Sequence, residues 1–400
     1  MIRVYGLLFL LVGVLYPPNA PAQTKSPVPE SSTPTLKVNT RLTIEYVTVT
    51  DAKGQNVHGL TQADFVLKED GKVQPLKSFE EHGGSQPAEA GASSQKASND
   101  AANPESTPTR SDPTILLFDQ VTTGVGLGKK PPDQLDYAKK QSELFLKTMP
   151  EGTEVAIMEL ADGLRVLQGF TADRERLTAT VNSIRYRLIS RTYVDPPAPR
   201  TMACEAANLQ SQFVLHTFGG IASALAGRQG RTSLVWFTPG IPWLTDFRLF
   251  NLVSCLTDYT EKLHNAYGLL AAAQVVLYPV DPRGVAISST SGADVSGPSA
   301  PQTLATIYGL GGSSMFDEYN SLKYFAKATG GTAYMSRNDI AVAIGEVVAS
   351  GTDYYSLAYI TPPSKYEKYH SISVTVNRPG LKLHYREGYT SVDDKSPKSH

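Results

Sequence analysis

The chain has 400 residues and a formal net charge of −1, with 37 Lys and Arg balanced by 38 Asp and Glu. That length holds about two domains with a sizeable buried core, and the charge balance leaves no general field to attract nucleic acid or acidic lipid. The two cysteines, Cys204 and Cys255, are too few for a thiolate metal centre. In an oxidising compartment they could pair as a disulfide, and otherwise they serve as small buried hydrophobes.

Near the start of the sequence Arg3 precedes an apolar run over 4–16, followed by Pro17-Pro18 and Ala20-Pro21-Ala22. The run is too short to span a bilayer, and the small residues after it resemble a cleavage site, so residues 1–22 are expected to be a secretory signal peptide. The mature chain is then expected to be secreted or periplasmic, with no stable membrane insertion. Residues 23–35 are rich in Pro, Ser and Thr and are expected to be a linker. Alternating apolar residues and an Asp70-Gly71 turn make 36–82 a β-rich segment. Residues 83–113 contain no Val, Ile, Leu, Met or aromatic residue; such a stretch cannot offset its own ordering entropy and is expected to be a disordered linker.

At residue 114 the pattern changes. Thr114-Ile-Leu-Leu-Phe118 is a continuous apolar run ending at Asp119, as expected of a buried parallel strand. A helix is expected from about Asp133, then strands at 154–160 and 164–170. Asp173 should open a helix reaching Ile189, and another is striped by Leu209, Phe213, Ile221 and Leu225. A strand at 234–237, a helical stripe from Leu249 to Leu270 and a strand at 275–280 follow. The region closes with a helix over 321–329, a short strand at 332–335 and a helix from an Asn338 N-cap through Val348. Repeated β-α units over 114–350 predict a mostly parallel sheet with helices on both faces. From 351 to 390 the pattern returns to strands, and 391–400 is a tail. Neither β-rich segment is long enough for a comfortable core of its own. The expected fold class is therefore α/β, with a mostly parallel α/β domain inserted between two β-rich segments that form one β-sandwich.

In an open parallel sheet, ligands bind beyond the carboxyl ends of the strands, which points to residues 119–123, 238–240 and 281–284. A buried strand ending on Asp can hold a cation through oxygen; alternatively, Asp119 caps the turn that follows by accepting from backbone amides. Trp243, and the Gly/Ser-rich stretch over 284–314, would leave the same edge, either as contact elements or as packed and solvated loop.

Three of these strand ends together resemble von Willebrand factor A domains: Asp119 with Thr123, Trp236-Phe-Thr-Pro-Gly240, and Tyr278-Pro-Val-Asp-Pro-Arg-Gly284. More narrowly, they resemble the related domain of exported acidobacterial proteins. The flanks match in Val49-Thr-Asp-Ala-Lys-Gly54, Gly59-Leu-Thr-Gln-Ala-Asp-Phe65, Tyr354-Tyr-Ser-Leu-Ala-Tyr359 and Arg378-Pro-Gly-Leu-Lys-Leu383. The resemblance implies a six-stranded Rossmann-like domain and, in many relatives, protein binding through a bound Mg²⁺. The family pattern is Asp-x-Ser-x-Ser with a Thr and an Asp from two further loops. Here Asp119 and Thr123 are the candidate ligands, Val121 replaces a hydroxyl, and Thr238 stands where the Asp is expected. Thr192 and Thr201 are loose matches to the second loop, and Asp281 or Asp246 could add an oxygen. The site is thus a degenerate one for Mg²⁺.

The leading expectation is an exported adhesion or scaffolding module that binds an unidentified protein and catalyses nothing. Two alternatives stand beside it. One is a divalent-metal-dependent phosphohydrolase-like enzyme using Asp119 as nucleophile, although Val121 occupies the position of the acid/base carboxylate. The other is a purely structural envelope protein.

Overall fold

The computed structural model describes residues 41–83, 112–122, 131–187, 200–228, 230–241, 259–285, 315–361 and 368–390. The chain begins with strands β1 (Arg41–Thr50), β2 (Phe65–Glu69), β3 (Lys72–Val73) and β4 (Leu76–His82). The middle region runs β5 (Thr114–Asp119), α1 (Pro131–Thr148), β6 (Val155–Leu160), β7 (Leu164–Thr171), α2 (Arg174–Ser183), α3 (Arg200–Ala224) and β8 (Thr232–Phe237). It continues with α4 (Thr260–Ala272), β9 (Val275–Val280), α5 (Met315–Thr329) and α6 (Ile340–Ser350). Strands β10 (Tyr354–Thr361), β11 (Tyr369–Val376), β12 (Lys382–His384) and β13 (Gly388–Thr390) complete the described chain.

The middle region is a mixed α/β layer structure around a sheet of order β7-β6-β5-β8-β9. Strands β6, β5, β8 and β9 are parallel, while β7 returns antiparallel to β6. All four parallel strands are buried along their whole length, which is why they read as unbroken apolar runs rather than alternating ones. Period-2 geometry divides each run between two cores. Ile115 and Leu117 face a core completed by Phe218, Leu263, Leu270 and Phe325 from α3, α4 and α5. Leu116 and Phe118 face the opposite core, closed by Phe145 of α1, Val181 of α2 and Ile344 and Val347 of α6.

Several boundaries differ from the sequence expectation. The sheet has five strands among the described residues, and the sixth is reduced to a single parallel bridge between Val280 and Tyr334. Tyr334 makes two backbone hydrogen bonds, with Pro279 and Asp281. Ser336 then adopts φ 52° and turns the chain away. Helix α2 stops at Ser183 rather than Ile189, because Ile184 is extended and buried and the Lys139 ammonium caps its carbonyl at 2.9 Å. The N-cap of α6 is Asp339, not Asn338; the Asn338 side chain accepts from the Val285 amide instead. The helical stripe expected from Leu249 is described only from Thr260 onward, as α4. The segments expected as signal peptide (1–22), linker (23–35) and tail (391–400) lie outside the described residues, as does most of the linker over 83–113.

The remaining strands form two four-stranded antiparallel sheets, ordered β12-β1-β10-β4 and β13-β11-β2-β3. Each sheet draws strands from both sides of the α/β region: Ile44 of β1 lies opposite Ala358 of β10, and Leu67 of β2 opposite Val374 of β11. One apolar core joins them through Val47, Phe65, Leu67, Leu357, Tyr359 and Val374. The β2–β3 hairpin turns at Asp70 (φ 48°) and Gly71 (φ 77°), the left-handed pair that a tight hairpin requires.

A buried polar group joins these sheets to the α/β layers. The Arg231 side chain, 2 % exposed, donates to the Tyr278 hydroxyl and to the Ser350 carbonyl and lies 5.0 Å over the Tyr354 ring. Beside it, burial pushes the Asp112 carboxyl up to about 7, although Arg231 pulls in the other direction. Because the unfolded value is 3.8, the folded protein retains a proton between those limits that the unfolded chain has lost. The stability due to this proton is complete below pH ~4 and is lost as pH rises through ~7. Melting temperatures of wild type and Asp112→Asn across pH 4–8 should therefore diverge upward, with the variant relatively more stable at pH 8. A pH-independent difference would contradict the assignment.

Candidate functional site

The carboxyl ends of β5, β8 and β9 bring Asp119, Thr122, Thr238 and Asp281 to one edge of the sheet. Asp119 ends β5 and is 2 % exposed. Its Oδ1 accepts from the backbone amides of Val121 (2.8 Å) and Thr122 (3.0 Å). Its Oδ2 accepts from the Thr122 hydroxyl (2.8 Å) and from the indole N–H of Trp236 (2.9 Å). A carboxylate has about four lone-pair positions, and here four donors occupy them. Burial pushes this carboxyl up, and the four donors pull it back toward the charged form.

The proton order of the surrounding hydroxyls follows from this geometry. Thr122 gives its single hydroxyl proton to Asp119, so at the 2.8 Å contact between the two threonines Thr238 donates and Thr122 accepts. The Thr238 oxygen in turn accepts from the Gly240 amide at 3.1 Å. A directed chain thus runs from Gly240 through Thr238 and Thr122 to Asp119, in which each bond polarises the next. Val121 points into the apolar core on the α3 face, 1 % exposed. The residue at the degenerate position therefore packs rather than presenting an oxygen.

Asp281, at the end of β9, is bound by Arg283. Its Oδ1 accepts from the Arg283 backbone amide and from Nε, each at 2.9 Å, and its Oδ2 from Nη2 at 3.0 Å. Both side chains are almost fully enclosed. Nη2 also donates to the Pro239 carbonyl at 2.9 Å, which ties the β9 end to the β8 end. On the other flank, Glu159 of β6 is buried and paired with Arg165 of β7. The Gln120 amide links Glu159 to the Arg185 carbonyl, and its oxygen accepts from the Arg187 amide at 2.7 Å.

These donor sets do not fit a hard divalent cation, which takes open oxygen ligands in near-octahedral array. Asp119 is saturated, the Thr238 hydroxyl is engaged on both sides, and Asp281 is neutralised by a guanidinium. Among the described residues, no cluster of three His, Cys, Asp or Glu could hold a metal. Of the expected ligands, Thr123, Thr192 and Asp246 lie outside the described residues. So do the side chain of Thr201, Trp243 and most of the 284–314 stretch. Cys204 falls on α3 with its side chain undescribed, and Cys255 lies outside, so their pairing is not described. Beyond the residues expected from sequence, Thr122, Trp236 and Arg283 complete the site. A Trp inside a fully buried strand needs an acceptor for its N–H, and an Asp two residues before an Arg at a strand end is a ready local pair; both signals were present.

No protein-family model matches the sequence, and no curated protein matches it. Solved structures similar to it include a von Willebrand factor type A protein from Catenulispora acidiphila, at 10 % identity and a TM-score of 0.34, covering 72 % of this chain and 68 % of that one. An aerotolerance-related membrane protein from Bacteroides fragilis is similar at 13 % identity and a TM-score of 0.32, covering 60 % and 98 %. Proximal thread matrix protein 1 from the mussel byssus, with a zinc-occupied MIDAS motif, is similar at 12 % identity and a TM-score of 0.31, covering 64 % and 48 %. Likenesses this loose fix no property of the present chain.

Proposed function

We propose that this chain is an exported, non-catalytic binding or scaffolding module of the von Willebrand factor A-like type, and that its strand-end face engages an unidentified protein without a metal. The observation that carries this reading is the saturation of Asp119 by four internal donors. A nucleophile or a metal ligand needs a lone pair free for its partner, and general acid–base chemistry needs a second positioned group. The nearby Asp281 is held in an ion pair with Arg283. The N-terminal apolar run and its small-residue boundary support export. The shared core and interleaved pairing of the two flanking segments support a β-sandwich into which the α/β domain is inserted. No helix among the described residues is long and apolar enough to cross a membrane.

The experiment is a pair of measurements on the mature protein. Melting temperature in millimolar Mg²⁺ should equal that in chelator, since a ligand stabilises only by binding the folded state. Hydrolysis of p-nitrophenyl phosphate with Mg²⁺ should not exceed the buffer rate. An Mg²⁺-dependent rise in melting temperature that Asp119→Ala abolishes would overturn the metal-free reading, and Asp119-dependent turnover would overturn the non-catalytic one.

A further inference from the structure

A second site lies away from the strand ends, where α4 and α5 meet β11 and β13. There His264, Tyr267, Tyr324 and Tyr369, with Lys327 and Glu387, line a cleft enclosing about 60 Å³, room for a few waters or for the hydroxyl-bearing edge of a small ring. Tyr324 and Tyr369 are each 44 % exposed. Lone exposed aromatics are ordinary, but several lining one concavity where two structural parts meet mark a ligand site. Tyr369 is held in place from two sides: its ring stacks on His264 at 4.7 Å and 20°, and it covers Gly388, where any side chain would collide with it. Deeper in, the hydroxyls of Tyr267 and Thr390 are buried and have no hydrogen-bond partner. Unsatisfied buried hydroxyls are rare and call for a specific cause, such as a water or ligand.

The charges at the cleft select the ligand class. Lys327 and Glu387 pair at 2.9 Å, so they cancel. An organic cation would meet the Lys327 ammonium beside the aromatic faces that could otherwise attract it. An anion would meet Glu387 and the negative faces of the rings. Burial pushes the phenols of Tyr267, Tyr324 and Tyr369 up, which keeps them neutral hydroxyl donors. What remains complementary is an uncharged ring with apolar C–H faces and a hydroxylated edge. We propose that this cleft is a saccharide-binding site, with a pyranose stacking on Tyr324 and packing against the exposed part of Tyr369, and its hydroxyls directed toward Tyr267, Thr390 and the Lys327–Glu387 pair. The site uses none of the strand-end residues, so it stands or falls independently of the function proposed above.

The test is to probe the full mature chain on an array of neutral hexose and N-acetylhexosamine oligosaccharides, followed by titration calorimetry with the best hit and with tetramethylammonium chloride and sodium acetate. The expected result is saturable binding of a neutral oligosaccharide and of neither ion. Affinity should fall at least ~10-fold in Tyr369→Ala and in Tyr324→Ala, whose exposed positions leave the melting temperature near that of wild type. Tyr267→Phe, which keeps the ring and removes only the hydroxyl, should weaken binding less. Absence of any array hit, preference for tetramethylammonium or acetate, or undiminished saccharide binding in both alanine variants would each overturn the proposal.

Discussion

Replacing Asp119 by Ala is expected to destabilise the fold by about 3–5 kcal/mol, because it strands several buried donors that each cost about 1–3 kcal/mol when unpaired. Two of these donors, the amides of Val121 and Thr122, hold the turn that leaves β5. A third, the indole N–H of Trp236, lies in the interior of the sheet, where no water replaces the lost acceptor. Asp119→Asn separates these contributions. An amide oxygen in the Oδ1 position still accepts both backbone amides, but its NH₂ then faces the Trp236 N–H, donor against donor. Thr122 can reverse its hydroxyl and accept from that NH₂, at the cost of the directed chain to Thr238. The Asn variant should therefore lose about 1–3 kcal/mol, between wild type and Ala. Denaturant midpoints with unchanged slopes report this order. If both variants were as stable as wild type, Asp119 would not be the structural centre of this edge.

The second large effect is expected at Arg283. Arg283→Met leaves the Asp281 carboxylate enclosed without its counter-ion, and breaking a buried pair from one side typically costs about 3–5 kcal/mol. It also frees the Pro239 carbonyl, so the ends of β8 and β9 lose their link. The double variant Asp281→Leu with Arg283→Met removes both charges together. It should recover most of the loss, because the desolvation of each ion no longer opposes folding. A double variant as unstable as Arg283→Met alone would show that the damage comes from lost packing around the guanidinium rather than from the unpaired carboxylate.

The core of the fold was legible because burial on both faces leaves a plain trace. The runs ending at Asp119, Phe237 and Val280 are continuous apolar segments, and they became the adjacent parallel strands β5, β8 and β9. The misplaced boundaries share one cause, contacts from distant residues. Nothing near Ser183 in sequence announces that Lys139, from another helix, caps the Ile184 carbonyl and ends α2. Similarly, Asn338 has the composition of an N-cap, yet the Val285 amide claims its side chain and Asp339 takes that place. At the site, Asp119 and Thr238 were found from their positions at strand ends. Their state was not, because it depends on Trp236 and Thr122 supplying donors across strands. The alternative that Asp119 satisfies backbone amides was open from sequence alone, and the geometry adds the Thr122 hydroxyl and the Trp236 indole to the two amides.

The central claim is that internal hydrogen bonds, not a metal, complete the coordination of Asp119, and the indole N–H of Trp236 reports on it directly. The chain has two tryptophans, so a Trp243→Phe variant assigns the two ¹⁵N-indole resonances. The account predicts that the Trp236 signal is strongly protected from solvent exchange and stays sharp when Mn²⁺ is added. Selective paramagnetic broadening of that signal at low Mn²⁺, lost in Asp119→Asn, would place a cation on the carboxylate and contradict it.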